Sequence, residues 1–315
     1  MMKLLEHTRD FQKYAKESVV TIGVFDGVHR GHQAIISQCV RDAQKRRVPS
    51  VALTFERNPR EVVCGESPCV ITAPHRKIEV LESLGIDYTI SVNFSRSFAS
   101  LTPAEFCEKI LAGHLGTKQV CVGENFHFGR GGVGDVHTLA SEGKLLGFKV
   151  DVVPLVAIEL GQLSSTLIRG LIVEGRVHDV LTGLGRPYTV TGKVVAGHSR
   201  GKRLGFPTAN LRLERDFCVP PEGVYAGKAV LGPRKYMCAI NIGSNPTFHD
   251  KEVALEVFLI DFEGNIYGEA LEIEFHHRLR EEKAFAGEEQ LVQQMKKDVR
   301  KTKSLLSGTE DGTRA

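Results

Sequence analysis

Two histidines, His29 and His32, close a glycine-punctuated run, Gly23-Val24-Phe25-Asp26-Gly27-Val28-His29-Arg30-Gly31-His32, that leaves an apolar, β-rich segment. If that run turns from a strand into a helix, a spacing of three residues puts both imidazoles on one face. The start of a helix already favours anions, because its first amides are free and its dipole is positive there. Glycines let the backbone come close to a guest. Gly23, Phe25, Asp26, Gly31 and the two histidines are therefore candidate ligands for the phosphates of a nucleotide.

Two further segments share that chemistry. In Leu163-Ser164-Ser165-Thr166-Leu167-Ile168-Arg169, hydroxyls open a helical pattern and a cation follows one turn later. Such a stretch either clamps phosphate or is an N-cap with a surface arginine. The segment Gly123-Glu124-Asn125-Phe126-His127-Phe128-Gly129 follows a predicted strand, where α/β proteins bind ligands beyond the carboxyl ends.

The carboxy-terminal half carries a different set. Gly205-Phe206-Pro207-Thr208-Ala209-Asn210 is a stiff turn that presents a hydroxyl and an amide two residues apart. On extended backbone Thr208 and Asn210 face the same side, and both are hard oxygen donors suited to Mg²⁺ and phosphate. Just upstream, a basic loop holds Gly201 and Lys202. It is not a Walker A loop, since Gly197 and Gly201 are too close and Arg203 stands where Ser or Thr is required. It is either a nucleotide contact or a generic basic hairpin. Glu256 interrupts the apolar run Val253-Ala254-Leu255-Glu256-Val257-Phe258. A carboxylate is costly there if it points to a core. Strand alternation instead offers it the side opposite Leu255 and Val257, where it either meets water or serves as a general base.

The elements that must position these groups fall into two rhythms. Up to about residue 153, short β-rich runs at 19–25, 51–55, 88–92, 120–122 and 150–153 alternate with helical patterns at 33–46, 74–84, 103–115 and 136–146. That alternation predicts a parallel, Rossmann-like α/β sheet with right-handed crossovers. Two helical stretches follow, ending near Gly185. Strand-like runs at 188–196, 224–231, 237–242, 253–260 and 271–275 then have no helices between them, which predicts an antiparallel barrel or sandwich. A helix over 288–299 closes the second domain. The expected division is 1–184, 185–306 and a disordered polar tail, 307–315.

Bulk properties narrow the partners. A chain of 315 residues suggests two domains. With 41 Lys and Arg against 38 Asp and Glu, the formal charge of +3 lacks the basic excess of a nucleic-acid binder. No run approaches the roughly 20 apolar residues of a membrane helix, and residues 1–16 lack a signal-peptide core. Seven cysteines, odd in number and without a C-x-x-C pair, suit unliganded thiols in a reduced cytoplasmic compartment. Cys64, Cys69 and His75 find no further ligand pair for zinc. Nothing in the chain points to a particular protein partner.

The H-x-G-H turn and the S-S-T-x-x-R segment resemble the nucleotidyl-transferase superfamily, in which the histidines stabilise charge on the transferred α-phosphate and its leaving group. The Pro-Thr-Ala-Asn turn, the Glu256 strand and Asn241-Ile242-Gly243 look like riboflavin kinase. In this order over about residues 18–299, the motifs resemble the bacterial bifunctional riboflavin kinase and FMN adenylyltransferase family. That resemblance implies that His29, His32, Asn125, Ser164, Thr166 and Arg169 serve adenylyl transfer from ATP to FMN. Phe126 and Phe128 then either flank the flavin or merely pack. It also implies a six-stranded barrel in which Thr208 and Asn210 hold Mg-ATP, Glu256 activates the riboflavin 5′-hydroxyl, and Arg278 with Phe285 closes the flavin pocket. Three positions depart from the family pattern: Asn58 stands for a usual histidine, and His127 and Asn245 for usual arginines. Three alternatives remain at this level: a riboflavin kinase with an impaired adenylyl half, an adenylyltransferase for another acceptor with a flavin-sensing barrel, or a non-catalytic flavin-binding protein. A tRNA-synthetase reading of the histidines fits poorly with the near-neutral charge.

Overall fold

A computed structural model of the chain describes residues 1–65, 68–196, 205–244 and 253–307. The chain folds into two compact units. The first comprises Met1–Pro68 and Pro74–Ser165, and the second takes in Cys69–Ala73 and the described residues from Thr166 onward.

In the first unit, strands β1 (Lys3–Leu5), β2 (Ser18–Ile22), β3 (Ser50–Phe55), β4 (Tyr88–Val92), β5 (Thr117–Gly123) and β6 (Lys149–Val153) form one parallel sheet in the order β1-β4-β3-β2-β5-β6. Its strands read as continuous apolar runs because both faces are covered. β3 shows how this works. Val51 and Leu53 pack with Phe106, Leu111 and Leu139 on one side, while Ala52 packs with Ile36, Val80 and Leu81 on the other. The crossover helices are α1 (Arg30–Arg46), α2 (Pro59–Cys64), α3 (Pro74–Ser83), α4 (Arg96–Ala99), α5 (Pro103–Glu105, continued as π-helical turns over Phe106–His114) and α6 (Val136–Leu146). The strand order reverses beside β2, whose neighbours are β3 and β5. The loops leaving β2 and β5 therefore open at the topological switch point, where this architecture takes its ligands.

Strand β1 was not expected, being three residues long with one buried position. A short antiparallel pair, β7 (Ala157–Ile158) and β8 (Gly161–Gln162), follows the sheet. Helices α7 (Ser165–Val173) and α8 (Val177–Leu184) then lead to the barrel.

In the second unit, β9 (Tyr188–Val195), β10 (Ala209–Leu213), β11 (Gly223–Leu231), β12 (Arg234–Ser244), β13 (Val253–Leu259) and β14 (Ala270–Arg280) close into an antiparallel barrel in the order β10-β13-β12-β11-β14-β9. Closure leaves no unpaired edge. The C-terminal helix runs Glu288–Ser307, eight residues past the expected end. Asp298, Thr302 and Leu306 continue its buried face at intervals of four, so Ser307 ends a helix and does not begin a tail. The rest of the expected tail, 308–315, lies outside the described residues, as do Gly201, Lys202 and Asn245.

The cysteine reading needs one correction. Cys69 and Cys218 form a disulfide, with Cα atoms 4.9 Å apart. Cys218 N donates to the Val70 carbonyl (3.0 Å) and Val70 N to the Asp216 carbonyl (2.8 Å), in a parallel bridge between Val70 and Phe217. Backbone pairing across 149 residues brings the two sulfurs together, and no local spacing reports it. Cys39, Cys64, Cys107, Cys121 and Cys238 are free thiols. The cross-link closes a long loop in the unfolded chain, so Cys218→Ser is expected to lower stability by about 2–4 kcal/mol in denaturant melts. Dithiothreitol should do the same to the parent protein and leave the variant unchanged.

Candidate active sites

The turn between β2 and α1 carries three residues at positive φ: Phe25 (52°), Gly27 (87°) and Val28 (38°). Two of these bear side chains, and such backbone strain persists only where the surroundings over-determine it. Here Phe25 and Val28 are 1% and 0% exposed, packed with Ile36 and Ala52. A Cβ on Gly23 would lie 2.8 Å from the Phe25 ring, so glycine is required for the ring to fold back.

His29 is the N-cap of α1, one residue outside the helix that the spacing suggested, and its Nδ1 accepts from His32 N at 3.3 Å. The two rings stack with centroids 3.7 Å apart and planes 19° apart. A Cβ on Gly31 would lie 3.0 Å from the His29 ring, which explains the glycine inside H-x-G-H. Burial, then the neighbouring His29 and Lys77 charges, holds the His32 imidazole well below its ordinary range, so the ring is neutral at pH 7.

Ser165 and Leu163 reach this turn. Ser165 Oγ donates to the Asp26 carbonyl at 2.8 Å, and Leu163 O lies 3.8 Å from where a Gly31 Cβ would be. Ser164 precedes α7, which then carries Thr166 and Arg169. Arg169 Nε donates to the Cys69 carbonyl at 2.9 Å. Beyond β5, Asn125 is exposed, with its Oδ1 close against the Gly123 Cα. Phe126 and Phe128 stack at 5.5 Å, but Phe128 is buried against Phe106, so it packs in the core and only Phe126 is partly open. Asn58 caps α2 by accepting from Arg60 N (3.1 Å), and His127 is exposed.

The barrel carries the second site. Asn210 and Asn241 both lie opposite Glu256 in register, giving a polar row across β10, β13 and β12. Leu255 and Val257 are buried on the other face, so alternation turns Glu256 away from the core as expected. It faces a cavity of about 610 Å³ whose walls include Phe206, Thr208, Asn210, Asn241, Glu256, Phe258 and Phe285, and which the C-terminal helix flanks with Leu291, Met295 and Val299. Gly205 (φ 79°) and Pro207 shape the turn that presents Thr208. Arg278 does not line the cavity; its Nη2 donates to the Glu222 carbonyl at 3.1 Å. Arg280 lines it instead and grips Asp298 of the C-terminal helix through Nε and Nη2 at 2.9–3.3 Å. The register shift that sets Arg280 opposite Val224 and Arg278 opposite Tyr225 sends the two arginines to different faces of β14. Sequence reasoning missed Arg280, Asp298 and the role of Asn241; strand alternation from Glu256 through its partners is the signal that finds Asn241.

A glycine-rich histidine turn at the switch point of a parallel sheet and an Asn–Glu–Asn row on a closed barrel set two candidate sites on two kinds of scaffold, an α/β sheet followed by an antiparallel barrel. Family models agree: one described as FAD synthetase matches residues 11–167, and one described as riboflavin kinase matches residues 184–306. A bifunctional riboflavin kinase/FMN adenylyltransferase of Listeria monocytogenes is 35% identical over 298 residues, covering 93% of this chain and 94% of that one. The protein of that description from Escherichia coli K12 is 34% identical, covering 94% and 96%. A crystal structure described as a macrolide-efflux protein from Streptococcus pneumoniae superposes with a TM-score of 0.87 at 32% identity, covering 96% of this chain and 98% of that one. The chain belongs to the bifunctional riboflavin kinase/FMN adenylyltransferase family. It phosphorylates riboflavin to FMN and adenylylates FMN to FAD.

Two outcomes are expected. Arg280 and Asp298 are 15% and 8% exposed, and Gln294 also donates to Asp298 at 2.8 Å. Asp298→Ala strands the guanidinium and should cost about 3 kcal/mol in urea melts. For His32 the unfolded chain, titrating near 6.5, binds more protons than the folded one. Stability contributed by the neutral ring is present above that pH and lost as pH falls. Melts at about pH 7.5 and about pH 5.5 should therefore differ less in His32→Gln than in the parent.

Proposed function

We propose that the two reactions have separate sites, adenylyl transfer in residues 1–184 and riboflavin phosphorylation in residues 185–306. The reading rests above all on the Asn210–Glu256–Asn241 row at the cavity wall, far along the chain from the His29–His32 stack.

In the kinase half, Glu256 takes the proton of the riboflavin 5′-hydroxyl as that oxygen attacks the γ-phosphorus of ATP, giving FMN and ADP. The oxygen donors of Thr208 and Asn210 line the same cavity and suit Mg²⁺. They would hold the ion that accompanies ATP, which when bound offsets charge on the phosphates. Gly201 and Lys202 would contact the nucleotide, and Phe206 and Phe258, 5.2 Å apart, offer it an apolar wall.

In the other half, a phosphate oxygen of FMN attacks the α-phosphorus of ATP. A new P–O bond forms as the α–β bridge breaks, and pyrophosphate leaves. His29 and His32 donate to the α-phosphate, Ser164, Ser165, Thr166 and Arg169 hold the phosphates, and Asn125 with Phe126 meets the flavin. No protein nucleophile is needed, so the work is positioning and charge stabilisation. A cytoplasmic setting, where ATP is abundant, suits both reactions. No helix among the described residues is long and apolar enough to cross a membrane.

Chromatography of flavins formed from riboflavin, ATP and Mg²⁺ separates the sites. His29→Ala is expected to accumulate FMN without FAD. Glu256→Gln should slow FMN formation by about 100-fold or more yet convert supplied FMN to FAD. Equal loss of both activities in either folded variant would contradict separate sites.

A further inference from the structure

Lys77 is a buried cation that the reaction scheme above does not use. It sits on α3 with 7% exposure, and its Nζ donates to the Phe55 carbonyl (2.9 Å), Thr54 Oγ1 (3.1 Å) and the Val24 carbonyl (3.3 Å). Thr54 Oγ1 in turn donates to that same Val24 carbonyl at 3.1 Å. A buried ammonium is costly to keep unless oxygens replace its water. A lysine serving only as packing would have no reason to reach three of them.

Position gives the arrangement its meaning. Val24 is the residue before Phe25, where the backbone enters the positive-φ turn that ends at His29. The direction of its carbonyl sets the first peptide plane of that turn. Two donors hold this oxygen, and both belong to the far side of the loop: Thr54 at the end of β3 and Lys77 on α3. Strained backbone needs such over-determination. The Lys77 charge is also felt at His32, where, after burial and His29, it helps to hold the imidazole neutral.

We propose that Lys77 is a positioning residue for adenylyl transfer: by clamping the Val24 carbonyl to the end of β3 it sets where the His29–His32 pair stands relative to the α-phosphate. This rests on the role given above to the two histidines. Losing the clamp should weaken the transition state more than substrate binding, because the histidines would remain present but misplaced, and displacements of this kind can cost about 100-fold.

The test is steady-state FAD synthesis by full-length Lys77→Met, Lys77→Gln and His29→Ala, with riboflavin kinase activity of each chain reporting its integrity. Lys77→Met is expected to lose about 10- to 100-fold in kcat for FAD formation, with the KM values for ATP and FMN little changed and kinase activity intact. Lys77→Gln, which keeps an N–H donor, should recover part of that loss. In ¹⁵N-imidazole NMR the His32 titration should move upward in Lys77→Met, since one of the charges that depress it is gone while burial and His29 remain. Parent-like kcat in Lys77→Met alongside an inactive His29→Ala would overturn the proposal. Activity retained by His29→Ala would instead overturn the histidine reading. If Lys77→Met fails to fold, Lys77→Gln decides on the same constants: a kcat equal to the parent's overturns the clamp and a reduced one supports it.

Discussion

Between Ile22 and Arg30 the backbone must pass through positive φ at two residues that carry side chains, and much of the first unit is arranged so that it can. Glycine at 23 makes room for the Phe25 ring, and glycine at 31 for the His29 ring. Ile36 of α1 and Ala52 of β3 bury the strained residues, and Ser165 and Gln33 hold the Asp26 and Val28 carbonyls at 2.8 Å. Each contact is ordinary alone. Together they leave the turn one conformation, which stacks two imidazoles at the start of a helix and at the switch point of the sheet. The strain, of order 1–3 kcal/mol per residue, is offset by burial that a surface turn would lack.

In the barrel the governing constraint is parity. A strand alternates its faces, so a β13 that buries Leu255, Val257 and Leu259 must show Glu256 and Phe258 on the other side. Antiparallel register then sets Asn210 and Asn241 against Glu256 without any special loop. The C-terminal helix does two things at once: its apolar residues wall the cavity, and Asp298 holds the arginine that ends β14.

What could be read from the chain follows from the range of the interaction involved. The H-x-G-H turn, the Pro-Thr-Ala-Asn turn and the outward Glu256 depend on neighbours within a few residues, so spacing exposes them. Lys77 reads as an ordinary helix lysine, because the oxygens that surround it come from residues 22 to 53 positions away. The Cys69–Cys218 pair depends on a bridge between distant segments, and an odd cysteine count argues against neither state. Arg278 was singled out where Arg280 lines the cavity, since a register shift on β14 changes the face on which each arginine emerges and leaves no mark in composition. The end of the C-terminal helix was placed early because its last turns, Thr302 and Leu306, bury one residue in four among lysines and serines.

The S-S-T-x-x-R segment shows how contacts far along the chain fix residues that the sequence places side by side. Helix α7 begins at Ser165, whose hydroxyl donates to the carbonyl of Asp26, and carries Arg169, whose guanidinium donates to the carbonyl of Cys69. Cys69 is itself fixed by the disulfide and by the Val70 bridge to Phe217. Two side chains of this short helix are thus fixed by backbone carbonyls distant in sequence. The contacts described for His29 come from its own turn and helix, and those described for Glu256 from the strands beside it. Arg169 is placed differently: the carbonyl that holds it belongs to a residue 100 positions away in the chain, itself fixed by a disulfide and a strand bridge, so its setting depends on pairing that no local spacing reports.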